Sequence, residues 1–301
     1  MKTAILSTTA LAVAAMAAPL VKRDDIDGVI LNYALTLEHL EAAFYAQGLQ
    51  NFTEAEFCRA GFSDPQFYKN LQEIARDEAT HVSFLTTALQ AAGVAPVAAC
   101  TYNFGALTPQ TFLQTSSILE GVGVSAYLGA AANITNKAYL TAAASILTVE
   151  ARHDAFVRGL LKQSPFPQPF DTPLDFNEVY SLAAPFIVSC PESNPALPVK
   201  AFPALTVATG MPSVQGASIT YKVSNATLPA GQLYIAFPLV TGAVFEPVTR
   251  NADGTLMAQI PSGANGPAGE VFAILTSSNT TLGDDNTVAG PAVLEVATYL
   301  A

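Results

Sequence analysis

Two pairs of glutamate and histidine with the same spacing are the first feature of this sequence that suggests chemistry. Glu78 precedes His81 by three residues, and Glu150 precedes His153 by three residues. The chain has only three histidines and 12% charged residues, so chance is a poor explanation for this repetition. Residues three apart lie on one face of a helix, and carboxylates and imidazoles are ligands of transition metals. The two pairs therefore predict metal ligands on two helices.

The neighbours of each pair predict that these ligands are buried. Both pairs lie on a stripe of apolar residues at helical spacing, which is typical of a helix face that points into a core. The stripes are Leu71, Ile74, Glu78, His81 and Leu85 in one helix, and Leu140, Ala143, Ile146, Glu150, His153, Val157 and Leu160 in the other.

Two further glutamates repeat in the same way. Glu38 precedes Tyr45 by seven residues, Glu120 precedes Tyr127 by seven, and both glutamates lie on apolar stripes. The sequence therefore contains an internal repeat, in which one pair of helices is followed by a second pair. In each pair one helix supplies a single Glu, and the other supplies Glu-x-x-His.

Four glutamates buried together need positive charge close to them. Without counter-ions, repulsion and desolvation would cost on the order of several kcal/mol for each carboxylate. Two divalent cations would neutralise four carboxylates, and four-helix bundles hold two iron or manganese ions with this ligand set. The predicted sites share Glu78 and Glu150 as bridging ligands and are completed by Glu38 with His81 and by Glu120 with His153.

Alternatives remain open for these residues. The same groups could form a buried hydrogen-bonded network without metal. Glu41, one turn after Glu38, is expected in an outer shell around the ligands or in solvent. Tyr45 and Tyr127 are either hydrogen-bond partners of the ligands or core aromatics. No residue is assigned a catalytic role by the pattern.

Turn and capping residues set the limits of the helices that must position these side chains. Asp64 with Pro65, and Thr108 with Pro109, predict helix starts, and Gly93 predicts a helix end. The expected helices cover about 27–48, 65–93, 109 onward, 137–161 and, as a shorter fifth helix, 173–188.

The pattern changes from about residue 195 to short β-branched and aromatic runs between Gly, Pro, Asn and Asp. This spacing is typical of a small antiparallel sandwich, with strands expected at 218–223, 232–237, 243–249, 255–260, 271–276 and 293–299. We therefore predict an α+β multidomain protein. Its parts are a four-helix bundle with an extra helix at 24–190, a linker at 191–203 and an immunoglobulin-like β-sandwich at 204–301.

The first 23 residues predict secretion. Lys2 is followed by an apolar run and small residues, which is typical of a signal peptide, and Lys22-Arg23 resembles a dibasic processing site. Removing these three basic residues changes the formal charge from -11 to -14. Such an acidic chain argues against nucleic acid or a membrane as a partner.

The cysteines and glycosylation motifs fit an extracellular chain. Three cysteines, Cys58, Cys100 and Cys190, allow one internal disulfide and leave one thiol, and their spacing does not say which two pair. Sequons for N-glycosylation lie at Asn51, Asn133, Asn225 and Asn279.

Three segments carry a resemblance to a known family: 31–45 with Leu-Glu-His-Leu-Glu, 119–129 with Gly-Val-Ser-Ala-Tyr, and 149–153 with Val-Glu-Ala-Arg-His. They resemble the ferritin-like domain of secreted fungal stress-response and plant desiccation-related proteins. The resemblance spans about 24–203 and implies a ferritin-like bundle in a secreted, stress-associated fungal protein. It also implies a disulfide between Cys100 and Cys190, which would fasten a crossover running back along the bundle.

Two classes of function follow. The first is a metal-dependent oxidoreductase that oxidises Fe(II) or removes peroxide, with metal ions and small oxidants as partners. The second is a non-enzymatic metal-binding structural protein that associates with the cell wall or with itself through the β domain. Gly121, Gly123, Ser125 and Gly129 could leave room for a small oxidant near Glu120, although tight helix packing explains them equally simply.

Overall fold

The computed structural model describes residues 26–208, 213–224, 226–263 and 266–297. The predicted signal peptide and the sequon at Asn225 lie outside these ranges. Asn51, Asn133 and Asn279 are exposed at the surface, as glycosylation requires. Within the described ranges, every helix is too short or too polar to cross a membrane.

Four long helices form two hairpins that pack against each other. The helices are α1 (Ile26–Asn51), α2 (Glu54–Arg59), α3 (Phe67–Ala91), α4 (Pro109–Ala131), α5 (Lys137–Leu160) and α6 (Phe176–Ala183). The first hairpin pairs α1 with α3, the second pairs α4 with α5, and α1 also contacts α4. The short helix α2 was not predicted from the sequence.

Local capping explains where the helices begin. The Thr108 hydroxyl accepts a hydrogen bond from the Thr111 amide at the start of α4, and Pro109 follows the cap as predicted. The predicted start of the next helix was wrong by two residues. Asp64 accepts a hydrogen bond from the Gln66 amide in a preceding turn, so α3 begins only at Phe67.

The connection from α3 to α4 runs back along α1. The Asn32 side chain accepts from the Val97 amide and donates to the Ala95 carbonyl, which fixes the first part of the connection. Further along, the Phe104 ring packs edge-on against Phe44. This crossover allows α3 and α4 to present their ligands to the same bundle centre.

A disulfide fastens this crossover. It joins Cys100 to Cys190, across a sequence separation of 90 residues. Beside it, strand β1 (Thr101–Tyr102) pairs with strand β2 (Ile187–Ser189), and neither strand was predicted. Cys58 is a free, exposed cysteine.

The C-terminal half forms two four-stranded antiparallel sheets. The strands are β3 (Leu205–Val207), β4 (Ser218–Val223), β5 (Tyr234–Phe237), β6 (Val244–Pro247), β7 (Thr249–Arg250), β8 (Leu256–Gln259), β9 (Gly269–Thr276) and β10 (Thr287–Val296). One sheet has the order β10-β9-β5-β6 and the other β3-β4-β8-β7, and both contribute buried side chains to one core. The predicted α+β multidomain class is confirmed, whereas the immunoglobulin-like strand order and the domain boundaries stay predictions.

The sheets pack directly on the bundle. Strand β9 is buried on both faces, because Val271, Ala273 and Leu275 face the sandwich core while Phe272 joins the core of the bundle. The guanidinium of Arg158 in α5 forms two hydrogen bonds with the Glu295 carboxylate in β10, at 2.7 and 3.0 Å.

Two of the predicted small residues serve this close packing. A Cβ atom at position 121 would lie 2.4 Å from Glu270 Oε1 of β9. A Cβ atom at position 129 would lie 1.8 Å from the carbonyl oxygen of Leu174, which belongs to a segment that crosses α4. Glycine is required at position 129 because the neighbour there is backbone, whereas at position 121 a side chain would displace the end of the Glu270 side chain.

Candidate metal centre

Each long helix brings its predicted ligands to the middle of the bundle. Glu38 comes from α1, Glu78 and His81 from α3, Glu120 from α4, and Glu150 and His153 from α5. The four glutamates are completely buried, and the two histidines are 8% and 6% exposed. The apolar stripes of the sequence place them there, because all other residues of the α3 stripe are also buried.

The six side chains form two overlapping groups. One contains Glu38, Glu78, His81 and Glu150, and the other contains Glu78, Glu120, Glu150 and His153. In each group every residue offers one ligand atom, and these atoms lie within 4.8 Å of one another. Glu78 and Glu150 belong to both groups, which is the arrangement the sequence predicts for two ions bridged by two carboxylates.

Both histidines present the Nδ1 atom to the carboxylates. His81 Nδ1 lies 3.2 Å from Glu38 Oε2, 3.2 Å from Glu150 Oε1 and 3.5 Å from Glu78 Oε2. His153 Nδ1 lies 3.0 Å from Glu78 Oε1 and 3.4 Å from Glu120 Oε2. The two halves of the repeat therefore use the same ring nitrogen in equivalent positions.

The two tyrosines cross from one half of the repeat to the other. The Tyr45 hydroxyl of α1 donates to Glu120 of α4, and the Tyr127 hydroxyl of α4 donates to Glu38 of α1. Tyr45 also contacts the Ser116 hydroxyl. Each tyrosine thus fixes the terminal glutamate supplied by the other helix pair.

Glu41 lies in the same buried region but outside both groups. It is 4% exposed, and no hydrogen bond to its side chain is present among the described residues. Gly123 of α4 is its equivalent in the repeat. A Cβ atom at position 123 would lie 3.1 Å from both Glu41 Oε1 and Glu150 Oε2, so the glycine leaves space for the two carboxylates.

The histidines and glutamates of the centre shift one another's pKa values. Burial acts to lower the pKa of His81, but its contacts with Glu150, Glu38 and Glu78 outweigh burial and raise that pKa to about 12. The pKa of His153 is raised in the same way to about 11. Burial raises the pKa of Glu38 to about 7 and that of Glu150 well above its usual range. Without a cation, protons on the histidines are the only positive charges in this cluster.

Hydrogen bonding tests whether metal ions fit these residues. Both oxygens of Glu78, both oxygens of Glu150, one oxygen of Glu120 and Nδ1 of His153 are buried without a hydrogen-bond partner. Buried polar atoms are normally paired, so carboxylate oxygens this close together need positive charge between them, which protonated histidines or metal ions can supply. The residues therefore fit bound metal ions, and carboxylate with imidazole suits iron or manganese.

One contact of the centre was not predicted. Asp77 Oδ2 lies 3.2 Å from His153 Nε2, on the side of the ring that faces away from the carboxylates. Carboxylates commonly hold metal-binding histidines in this way. The third histidine, His39, lies apart from the centre: it is half-buried beside the crossover, where its Nε2 lies 3.2 Å from the Val97 carbonyl oxygen.

The bundle and its buried ligands define a class of protein: four-helix proteins with a carboxylate and histidine cluster able to hold metal ions. Comparison with known families gives the same result, since residues 26–163 match the ferritin-like domain model. The match covers 138 of the 301 residues, so the likeness to ferritin-like domains concerns the helical part of the chain.

A curated relative comes from a fungus. The chain is 31% identical over 181 residues to Protein rds1 of Schizosaccharomyces pombe (strain 972 / ATCC 24843). The alignment covers 60% of this chain but 44% of that protein, so the chain spans less than half the length of this relative.

Proposed function

We propose that this chain is a secreted protein that binds two iron or manganese ions and oxidises Fe(II) or removes peroxide under stress. One observation carries the proposal: carboxylates from four different helices meet at zero exposure, and most of their oxygens lack a hydrogen-bond donor. Such carboxylates stay charged only when positive charge lies among them, and two divalent cations would neutralise all four.

Bound iron or manganese would supply electron exchange with a small oxidant, which the side chains alone do not provide. The protein would position the ligands around the ions and exclude bulk water from them. Tyr45 and Tyr127 hold the terminal glutamates, and Asp77 orients His153. All six ligands are buried, so bulk water is kept from the centre.

A narrow cavity beside the centre is consistent with a small substrate. It has a volume of about 20 Å³ and lies between α1, α4 and α6, where Glu41 and Gly123 line it together with apolar side chains. Ile118, on its wall, is 36% exposed. This volume holds about one water-sized molecule, so the cavity suits a small oxidant of two heavy atoms better than an organic substrate.

The disulfide supports secretion, because such bonds persist in oxidising compartments.

A second candidate is a non-enzymatic structural or cell-wall protein that uses the ions for stability. The complete burial of the ligand carboxylates favours it, since a structural metal site can be closed on all sides.

The test is metal analysis of the protein purified from the medium of its own host. Plasma mass spectrometry is expected to find about two equivalents of iron or manganese. The double variant Glu78→Gln, Glu150→Gln is expected to lose them, because it neutralises both bridging carboxylates without changing their shape. The matched control, Glu73→Gln, removes an exposed carboxylate from α3 and is expected to keep both ions.

Assays then separate the candidates. Consumption of Fe(II) or peroxide by the loaded protein, absent in the double variant, supports the oxidoreductase. Two bound ions without either activity support the structural protein. A wild-type protein that holds no metal and cannot be loaded would refute both candidates.

A further inference from the structure

The internal repeat allows the two metal positions to be compared residue by residue. Adding 82 to a residue number in α1 gives its equivalent in α4, and adding 72 to a number in α3 gives its equivalent in α5. The ligands and tyrosines follow this rule without exception: Glu38 with Glu120, Tyr45 with Tyr127, Glu78 with Glu150 and His81 with His153. Differences near the ions must therefore come from the residues around them.

The first difference concerns the histidines. Asp77 of α3 reaches across to His153 of α5, and its Oδ2 lies 3.2 Å from Nε2 of the ring. A proton on Nε2 that is donated to this carboxylate leaves Nδ1 free to bind a cation. The bond therefore selects the tautomer of His153 that binds metal and increases its basicity.

His81 has no such support. The equivalent of Asp77 is Val149, which cannot accept a hydrogen bond. Among the described residues, none forms a hydrogen bond with His81 Nε2. The His81 ring must therefore adopt its metal-binding tautomer without a carboxylate to hold it.

The second difference concerns the carboxylates. Glu41 follows Glu38 by three residues on α1, so it lies on the side of the Glu38 and His81 position. Its equivalent in the other half is Gly123, which has no ligand atom. Glu41 also lines the narrow cavity between α1, α4 and α6, whose wall includes the partly exposed Ile118, so this carboxylate lies between the ligands and the surface.

Both differences favour the same assignment. We infer that the two metal positions are unequal: the position of Glu120 and His153 binds its ion more tightly and fills first, whereas the position of Glu38 and His81 exchanges its ion by way of Glu41. This inference rests on the proposed two-metal centre. Asp77 acts as a positioning residue through His153, whereas Glu41 would contact the ion only during exchange, since neither residue belongs to the ligand groups.

The test is an anaerobic titration of the metal-free full chain with Mn²⁺, in which electron paramagnetic resonance measures the free ion. Wild type is expected to bind two ions in two steps whose affinities differ by at least about tenfold. Asp77→Asn is expected to weaken the tighter step by about tenfold. This is the lower end of the effect of such residues, because 49% of the Asp77 side chain is exposed.

The second variant and the control separate the two positions. Glu41→Gln is expected to leave the tighter step unchanged and to slow the release of the second ion into a chelator. Glu73→Gln, which removes the same charge from an exposed site on α3, is expected to match wild type in both steps. Circular dichroism melting curves check that each variant is folded.

Each unexpected result would contradict a different part of the inference or of the proposed function. Two equal steps in wild type, or equal weakening of both steps by Asp77→Asn, would overturn the inference and leave the two-metal centre in place. An unchanged release rate in Glu41→Gln would remove Glu41 from the exchange path and overturn that half of the assignment. A wild-type chain that binds no Mn²⁺, Fe²⁺ or Co²⁺ would overturn the proposed function itself.

Discussion

At the scale of single residues, the two histidines of the metal-free centre carry protons that metal ions must displace. The contacts of His81 and His153 with buried carboxylates raise their pKa values to about 12 and about 11. Both rings are therefore protonated at neutral pH when no metal is present. A ring nitrogen must lose its proton before it can bind a cation, so metal binding and proton release are linked.

This linkage predicts a steep pH dependence of metal affinity. Below about pH 11 each ion displaces at least one histidine proton, so lowering the pH weakens binding. At least two protons are released in total, which corresponds to at least about a hundredfold loss of the overall binding constant for each pH unit of acidification. Calorimetric titration with Mn²⁺ in two buffers of different ionisation enthalpy measures the protons released.

The third histidine provides the control for proton release. His39→Gln is expected to release as many protons as wild type, because His39 contacts the crossover and not the ligands. Binding without proton release would show that the histidines are neutral in the metal-free protein, against the expectation from their surroundings.

The ligand residues could be identified from the sequence because each is a charged residue at a position whose helical neighbours are apolar. The role of Asp77 could not be identified in this way. Asp77 is half-buried and lies outside the apolar stripe of α3, and its partner His153 lies 76 residues later. Only the packing of α3 beside α5 brings them together.

At the scale of elements, the crossover depends on its covalent link. The Cys100–Cys190 bond closes a loop with a sequence separation of 90 residues, and loops of this length restrict the unfolded chain strongly. Cys100→Ser with Cys190→Ser is expected to lower the free energy of unfolding by about 2–5 kcal/mol. Guanidinium unfolding under non-reducing conditions measures this change.

Cys58→Ser is the matched control, since Cys58 is exposed and free. The Cys58→Ser variant is expected to have the same free energy of unfolding as wild type. If the double variant were as stable as wild type, the hydrogen bonds of Asn32 and the pairing of β1 with β2 would be enough to hold the crossover.

Elements with strong local signals were predicted well, whereas those that depend on distant partners were not. The long helices follow from their apolar periodicity, and four predicted strands overlap β4, β5, β8 and β9 closely. Strands β1 and β2 are only two and three residues long and exist because the crossover meets the segment after α6. Helix α2 follows α1 after two residues, so no long apolar stripe marks it.

At the scale of the whole molecule, an ion pair joins the bundle to the sheets. Arg158 is 1% exposed, and it forms two hydrogen bonds with Glu295 of β10, so a buried charge links α5 to the sheets. Arg158→Met is expected to lower the free energy of unfolding by about 3 kcal/mol, because Glu295 and nearby Glu270 lose their positive neighbour. Chemical denaturation followed by circular dichroism measures the loss.

Arg152→Met is the control on the same helix, because Arg152 is exposed. It is expected to change stability by less than about 0.5 kcal/mol. An Arg158→Met protein as stable as wild type would show that apolar contacts such as that of Phe272 alone hold the sheets on the bundle.

The internal repeat has a further consequence for how such a centre can change over evolutionary time. In a dimer of identical helix pairs, every mutation would alter both metal positions at once. In this chain the two pairs are separately encoded, so Asp77 can differ from Val149 and Glu41 from Gly123 while the ligands stay matched. One half is thereby free to specialise in retaining an ion, and the other in exchanging it.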